Sequence, residues 1–159
     1  MFLVSITRLR LRSIRFLPAL QWHTWKSARQ VRRASGFLGG QILIDRGWTA
    51  WTMTVWGNED LMRSFRQSGA HQKVMPKLAE WCCEASSVHW EQEKSKIPNW
   101  SEAHRRMIFQ GHAVPVKKRS ASFDVRAIPA PRIGKIFVQI LRPVNKDDKN
   151  LAQCGMLNR

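Results

Sequence analysis

The sequence predicts an α+β protein of the ferredoxin-like split βαβ class, ordered β-α-β-β-α-β, with a four-stranded antiparallel sheet and two helices on one face. Three observations predict it. Stretches alternating apolar and polar residues with period two are separated by stretches with the 3.6-residue period of a helix. The second and third strand-like stretches adjoin across a short glycine-containing loop, too short for a crossover. Each helical stretch carries one apolar stripe, as a helix packed on a sheet does.

The opening "FLVSITRLRLRS" places Phe2, Val4 and Ile6 on one face and Leu3, Ser5, Thr7, Leu9 and Leu11 on the other. Its lack of acidic residues and its arginines resemble an organelle-targeting leader, but a period of two is that of a strand, not of an amphipathic presequence. "FLPALQWHTWKSARQVRRA" reads as a helix, with Pro18 in its first turn and Leu17, Leu20, Thr24, Ala28 and Val31 on one stripe. Ser35-Gly36 ends it. "FLGGQILI" and "WTAWTMTVW" are strands joined by Asp45-Arg46-Gly47, and the second carries tryptophan on both faces, so both faces need cover. Asn58 caps a second helix with Glu59 and Asp60 in its first turn. Ser68-Gly69 interrupts that helix, "AHQKV" resumes it, and Pro76 kinks or restarts it through "KLAEWCCEA". "SSVHWEQ" supplies the last strand.

Beyond Lys94 lie five of the seven prolines. "IPNWSEAHRRMIFQG" pairs Asn99 with Glu102 in a capping box, aligns Trp100, Ala103 and Met107, and stops at Gly111, which makes a helical arm. The expected organisation is a ferredoxin-like domain over 1–94, an arm over 95–111, and a basic, partly disordered tail over 112–159 with one strand-like run, "KIFVQIL".

The net charge of +16 is uneven: residues 1–44 carry 8 basic and no acidic side chains, 45–95 carry 6 and 7, and 96–159 carry 13 and 4. The excess sits at the start and in the tail. No apolar run approaches the roughly 20 residues of a membrane span. Three cysteines, two of them adjacent at Cys82 and Cys83, form neither a disulfide framework nor a metal-binding spacing, and fit a reducing, cytoplasmic setting. There is no Walker loop, nucleophile elbow, H-E-x-x-H or dinucleotide fingerprint, and no cluster at zinc spacing.

With the hairpin "GFLGGQILI…WTAWTMTVW" and the following "NEDLMRSFRQSGAH", the chain resembles the dimeric α+β barrel superfamily of antibiotic-biosynthesis monooxygenases, haem-degrading monooxygenases and related small enzymes. The carrying residues are Gly36-Phe37, Val55-Trp56, and Ser68, Ala70 and His71, within residues 1–93. "SGAHQKVMPKLAEWC" looks like a branch near the spheroidene monooxygenase-like proteins. The resemblance implies a homodimer whose sheets pack face to face, and a pocket in each subunit between sheet and helices into which His71 points.

At the restart of a helix, beside Phe65, Trp22 and Trp51, His71 is expected to be desolvated and to feel the positive end of the dipole. Both hold the imidazole neutral near pH 7. As a general base it would deprotonate a phenolic or 1,3-dicarbonyl-type compound whose carbanion reacts with dioxygen without a cofactor, as the antibiotic-biosynthesis group implies. The bland alternative is a core histidine bonded to a backbone carbonyl. In the haem-degrading members the matching histidine is an axial ligand, which makes haem a possible cofactor. Those enzymes also use an asparagine and a tryptophan, for which this chain has Thr7 and Phe65, so haem cleavage is not expected. Trp22 and Trp25 share a helix face and, with Trp51, Phe65 and Thr7, are the expected lining of a hydrophobic small-molecule pocket.

Two other readings compete: a non-catalytic protein for haem or another flat ligand, and nonspecific nucleic-acid binding through the basic tail. RNA-recognition domains share the element order but place a basic-Gly-aromatic motif on the third strand. "WTAWTMTVW" has neither a basic residue nor a glycine inside it, so nucleic acid is not the expected partner.

Overall fold

The computed structural model describes residues 1–45, 47–132 and 137–144. Arg46 of the hairpin loop, the start of "KIFVQIL" and the tail from 145 lie outside the described residues.

Strand β1 (Phe2–Leu11) is followed by helix α1 (Leu17–Val31), strands β2 (Phe37–Asp45) and β3 (Thr49–Trp56), helices α2 (Glu59–Arg66) and α3 (Gly69–Trp81), and strand β4 (Cys82–Gln92). This is the expected β-α-β-β-α-β order, its second helix split in two at the Ser68-Gly69 break. Helix α4 (Trp100–Gln110), strand β5 (His112–Ala113) and strand β6 (Phe137–Leu141) complete the described chain. The sheet has six strands rather than four, ordered β5-β4-β1-β3-β2-β6, and every pairing is antiparallel. The two additions come from the segment read as a tail. β5 pairs with β4 and β6 with β2, so both edges of the four-stranded core are covered, which removes exposed ladder groups.

Caps form where the sequence places them. The Asn58 side chain accepts from the Leu61 amide, and Asn99 from the Glu102 amide at 2.8 Å. Pro76 sits inside a continuous α3 instead of restarting it. The helix ends at Trp81, and β4 begins at Cys82, earlier than the sequence pattern suggests. Leu11 pairs with Cys82 and Arg10 with Glu84, leaving Cys83 in a bulge. The bulge turns Glu84 to the face of Arg8 and Arg10, whose guanidinium groups meet its two oxygens at 2.7 and 2.9 Å.

The sheet separates two cores. On one side Leu3, Ile42 and Trp56 pack with Ala28 and Val31 of α1 and Met62 of α2. On the other, Val4, Ile6, Trp51, Met53, Val88 and Trp90 pack against Trp100, Ala103 and Met107 of α4, and against Phe123, Val125 and Ile128 beyond it. That second face is the one that the resemblance would give to a partner subunit. Here the chain's own C-terminal segment packs on it, which supplies cover for the tryptophan-bearing face. The helix of the expected arm packs as a layer on this face.

Candidate functional site

The candidate site lies between the sheet and α1, α2 and α3. Its position follows from the polar positions on the helix-facing side of the central strands. Ser5 and Thr7 of β1, Thr52 and Thr54 of β3, and Ser87 and His89 of β4 all line one cavity, in register: Ser5 lies opposite Thr54 and His89, and Thr7 opposite Thr52 and Ser87. Large apolar side chains at these positions would fill the space under the helices; short hydroxyl-bearing ones leave it open. The cavity measures about 200 Å³. Its roof comes from Leu20, Ala28 and Val31 of α1, Phe65 and Arg66 of α2, and Val74 and Leu78 of α3. Val114, Pro115 and Val116 close it from the C-terminal segment.

His71 lines this cavity from the third residue of α3. The helix break that delivers it is held by a residue the sequence did not single out. The Ser68 hydroxyl makes no capping bond to α3. Gln30 of α1 takes that part: its Oε1 accepts from the His71 amide at 3.0 Å, while its Nε2 donates to the Ser68 carbonyl at 2.9 Å. One side-chain amide thereby serves the end of α2 and the start of α3. Gly69 is required at this junction. Its φ is +57°, and a Cβ there would come within 2.9 Å of the Gln30 amide.

Beyond the backbone, the His71 ring packs at 4.8 Å between centroids against Phe65, which in turn lies 5.2 Å from Trp56. Burial pushes the His71 pKa below the ordinary histidine value; a hydrogen bond of the ring to the Arg66 backbone, the contact expected of a core histidine, opposes this, and the Arg66 charge adds to it. His71 Nδ1 is buried without a hydrogen-bond partner. Ser27 Oγ and Trp56 Nε1 are in the same condition, and both residues also line the cavity. Unpaired buried polar atoms cost free energy unless something meets them. Their concentration around one hollow marks it as a place for a ligand with polar groups.

His89 and His23 also line the cavity, and both are held below their ordinary pKa by burial first. For His89 the next cause is Arg66, for His23 Lys77. His112 of β5 hydrogen-bonds Ser87 at 3.1 Å, with its ring 6.4 Å from His89. Among the described residues no cysteine lines the cavity, and the buried Cys82 thiol is pushed up to about 12 by burial and by Cys83. Among the described residues no group of three metal-ligating side chains exists.

Of the residues expected at the pocket, His71, Phe65 and Thr7 line it. Trp51, Trp22 and Trp25 do not. Trp51 is 1% exposed but points to the opposite side of the sheet, into the α4 core, because its position in β3 is out of phase with Thr52 and Thr54. Trp22 and Trp25 are 55% and 47% exposed on the outer side of α1. The sequence signal that identifies the true lining is the inward phase of Ser5, Thr7, Thr52, Thr54, Ser87 and His89, a polar row where a packed sheet carries apolar residues.

Haem does not fit this arrangement. The cavity is smaller than the roughly 300–1,000 Å³ typical of sites for drug-sized molecules, and the His71 ring lies against Phe65.

By sequence the chain matches no protein-family model and no curated protein. By structure it resembles Rv0793 from Mycobacterium tuberculosis, with a TM-score of 0.54 at 11% identity over 59% of this chain and 97% of that one. It resembles an antibiotic biosynthesis monooxygenase with a TM-score of 0.52 at 8% identity, over 58% of this chain and 99% of that one. It also resembles SnoaB, a cofactor-independent oxygenase from Streptomyces nogalater, in a single-site variant form, with a TM-score of 0.50 at 13% identity over 62% of this chain and 98% of that one. The chain shares their fold. Nearly the whole of each neighbour lies on about three-fifths of this chain, so the remaining two-fifths has no counterpart in them. The spheroidene branch gains no support from these three.

Proposed function

We propose that the protein is an oxygenase-like enzyme acting on a small hydrophobic aromatic or polyene-like compound without a cofactor, with His71 as the base. The observation that carries this reading is His71 itself: a desolvated imidazole, held neutral, with an unpartnered Nδ1, lining a mostly apolar cavity that is partly open to solvent. The shared fold with a cofactor-independent oxygenase supports it.

The chemistry follows from those groups. An activated CH2 flanked by carbonyl or aromatic groups gives a proton to His71, leaving a carbanion on the substrate and an imidazolium. The Arg66 guanidinium, whose charge is felt by both His71 and His89, stabilises the delocalised anion. Dioxygen accepts the electron pair to form a peroxide, which takes the proton back; loss of water leaves a carbonyl. In total CH2 and O2 give C=O and H2O. A positioned base supplies on the order of 10² to 10⁴ in rate. Thr7, Thr52, Thr54 and Ser87 offer hydroxyls to orient the substrate oxygens.

Oxygen uptake with 1,3-indandione and 1-naphthol as probes tests the proposal. Uptake by the protein should fall on the order of 10²-fold or more in His71→Ala. Uptake unchanged by that substitution contradicts the base assignment. If no uptake occurs and added hemin gives a Soret shift lost in His71→Ala, the binding-protein reading replaces the enzymatic one, and the cavity must open further.

A further inference from the structure

The outer face of α1 has no use in the cavity. Trp22, Trp25, Lys26 and Arg29 lie within roughly 100° of arc at 3.6 residues per turn. All four are exposed, as is Arg33 just beyond the helix. The two indoles stack on each other at 5.3 Å and 18°, with Lys26 Nζ 4.9 Å from the Trp22 ring and the Arg29 guanidinium 4.9 Å from that of Trp25. No acidic residue occurs anywhere in residues 1–44. On the adjoining α3, Lys73 and Lys77 are exposed, and the helix's outward acid, Glu80, is already paired with Lys117.

We propose that this face docks the protein on an anionic lipid surface. Two large apolar side chains held in water are costly to leave exposed unless something covers them. Indoles favour the headgroup region of a bilayer, and exposed lysines and arginines beside them favour anionic headgroups. The charge pattern argues against a second copy of the chain, since two such faces repel. Single-stranded nucleic acid needs free aromatic faces for its bases, and here each ring is already engaged by its neighbour and by a cation. The same helix also connects the two surfaces. Its inner stripe of Leu20, Thr24 and Ala28 lines the cavity, so docking by the outer stripe brings the hollow within about one helix diameter, ~10 Å, of the lipid. An apolar compound could then pass between bilayer and cavity. Docking itself holds whether or not His71 is a base.

Co-sedimentation of the full chain with vesicles tests this. Binding is expected to vesicles of phosphatidylcholine with 40% phosphatidylglycerol, with a blue shift of tryptophan emission, and not to phosphatidylcholine alone. Lys26→Glu with Arg29→Glu should weaken partitioning about 30-fold or more, at roughly fivefold per charge removed. Trp22→Ala with Trp25→Ala should abolish the blue shift and lower binding about tenfold. Because all four side chains point outward, circular dichroism and the melting temperature should hold in both variants and so report intact folding. Absence of binding to anionic vesicles at low salt overturns the proposal. So does binding unaffected by both double variants, which would assign it to the basic C-terminal segment. Tight binding of a single-stranded oligonucleotide lost in the tryptophan variant, without vesicle binding, would assign the face to nucleic acid instead.

Discussion

His71 illustrates what one residue can and cannot reveal. Its position after Ser68-Gly69 and the desolvation that lowers its pKa are legible in sequence, because a glycine break and an apolar neighbourhood are both local signals. Its environment is not. Phe65 lies against it as expected, yet Trp22 and Trp51, expected beside it, lie elsewhere. Gln30, which fixes its backbone, is 41 residues away in sequence. A pH prediction belongs here. His71, His89 and His23 all have folded pKa values below the ordinary 6.5. As pH falls below 6.5, the unfolded chain takes up protons that the folded chain refuses, so stability is full above that pH and declines beneath it. The depressed carboxylates lie lower: Glu102 is held at about 2 by Arg105 and Arg106, so its contribution is present above 4.5 and is lost in more acid solution. The melting temperature should therefore decrease between pH 7 and pH 5, with a shallower decrease in His71→Gln. A flat profile would contradict the burial of these rings.

At the scale of elements, the α2–α3 junction is the part most exposed to test. Gly69→Ala places a Cβ in the left-handed region, which costs roughly 1–2 kcal/mol, and presses it on the Gln30 amide. Gln30→Ala removes both helix-end bonds at once, and should cost about 1–2 kcal/mol in chemical denaturation, at the usual ~1 kcal/mol per hydrogen bond. Both should also reduce turnover, because His71 moves with its helix. Loss of stability with unchanged turnover would show that the break does not position the ring. Strand and helix identities were readable here since periodicity and caps are local. The start of β4 was not: the bulge at Cys83 is set by Glu84 reaching Arg8 and Arg10 across the sheet, a pairing that no local pattern encodes.

For the whole molecule, the sequence correctly demanded cover for a sheet with tryptophan on both faces, but could not say what supplies it. A covering layer from another subunit and one from the same chain leave the same alternation in the strands. The amphipathic stripe of Trp100, Ala103 and Met107 was visible, and only the three-dimensional path places it over Val4, Ile6 and Met53. We propose that α4, seated on this face, leaves no room for a face-to-face contact with a partner's sheet. Sedimentation equilibrium should show no dimer formed through this face, and Met107→Ala should cost about 2–5 kcal/mol, as for other buried large-to-small changes. A dimer that protects Trp51 and Trp90 from solvent in a chain truncated before α4, but is equally strong in the full chain, would contradict the covering role.

The account rests on His71 being an uncharged ring in contact with a mostly apolar cavity, and histidine-labelled NMR measures that directly. The His71 ring should titrate below 6.5, and its nitrogen shifts should move when 1,3-indandione binds. A ring that titrates at or above 6.5, or one whose shifts ignore the probe while the probe binds, would contradict it.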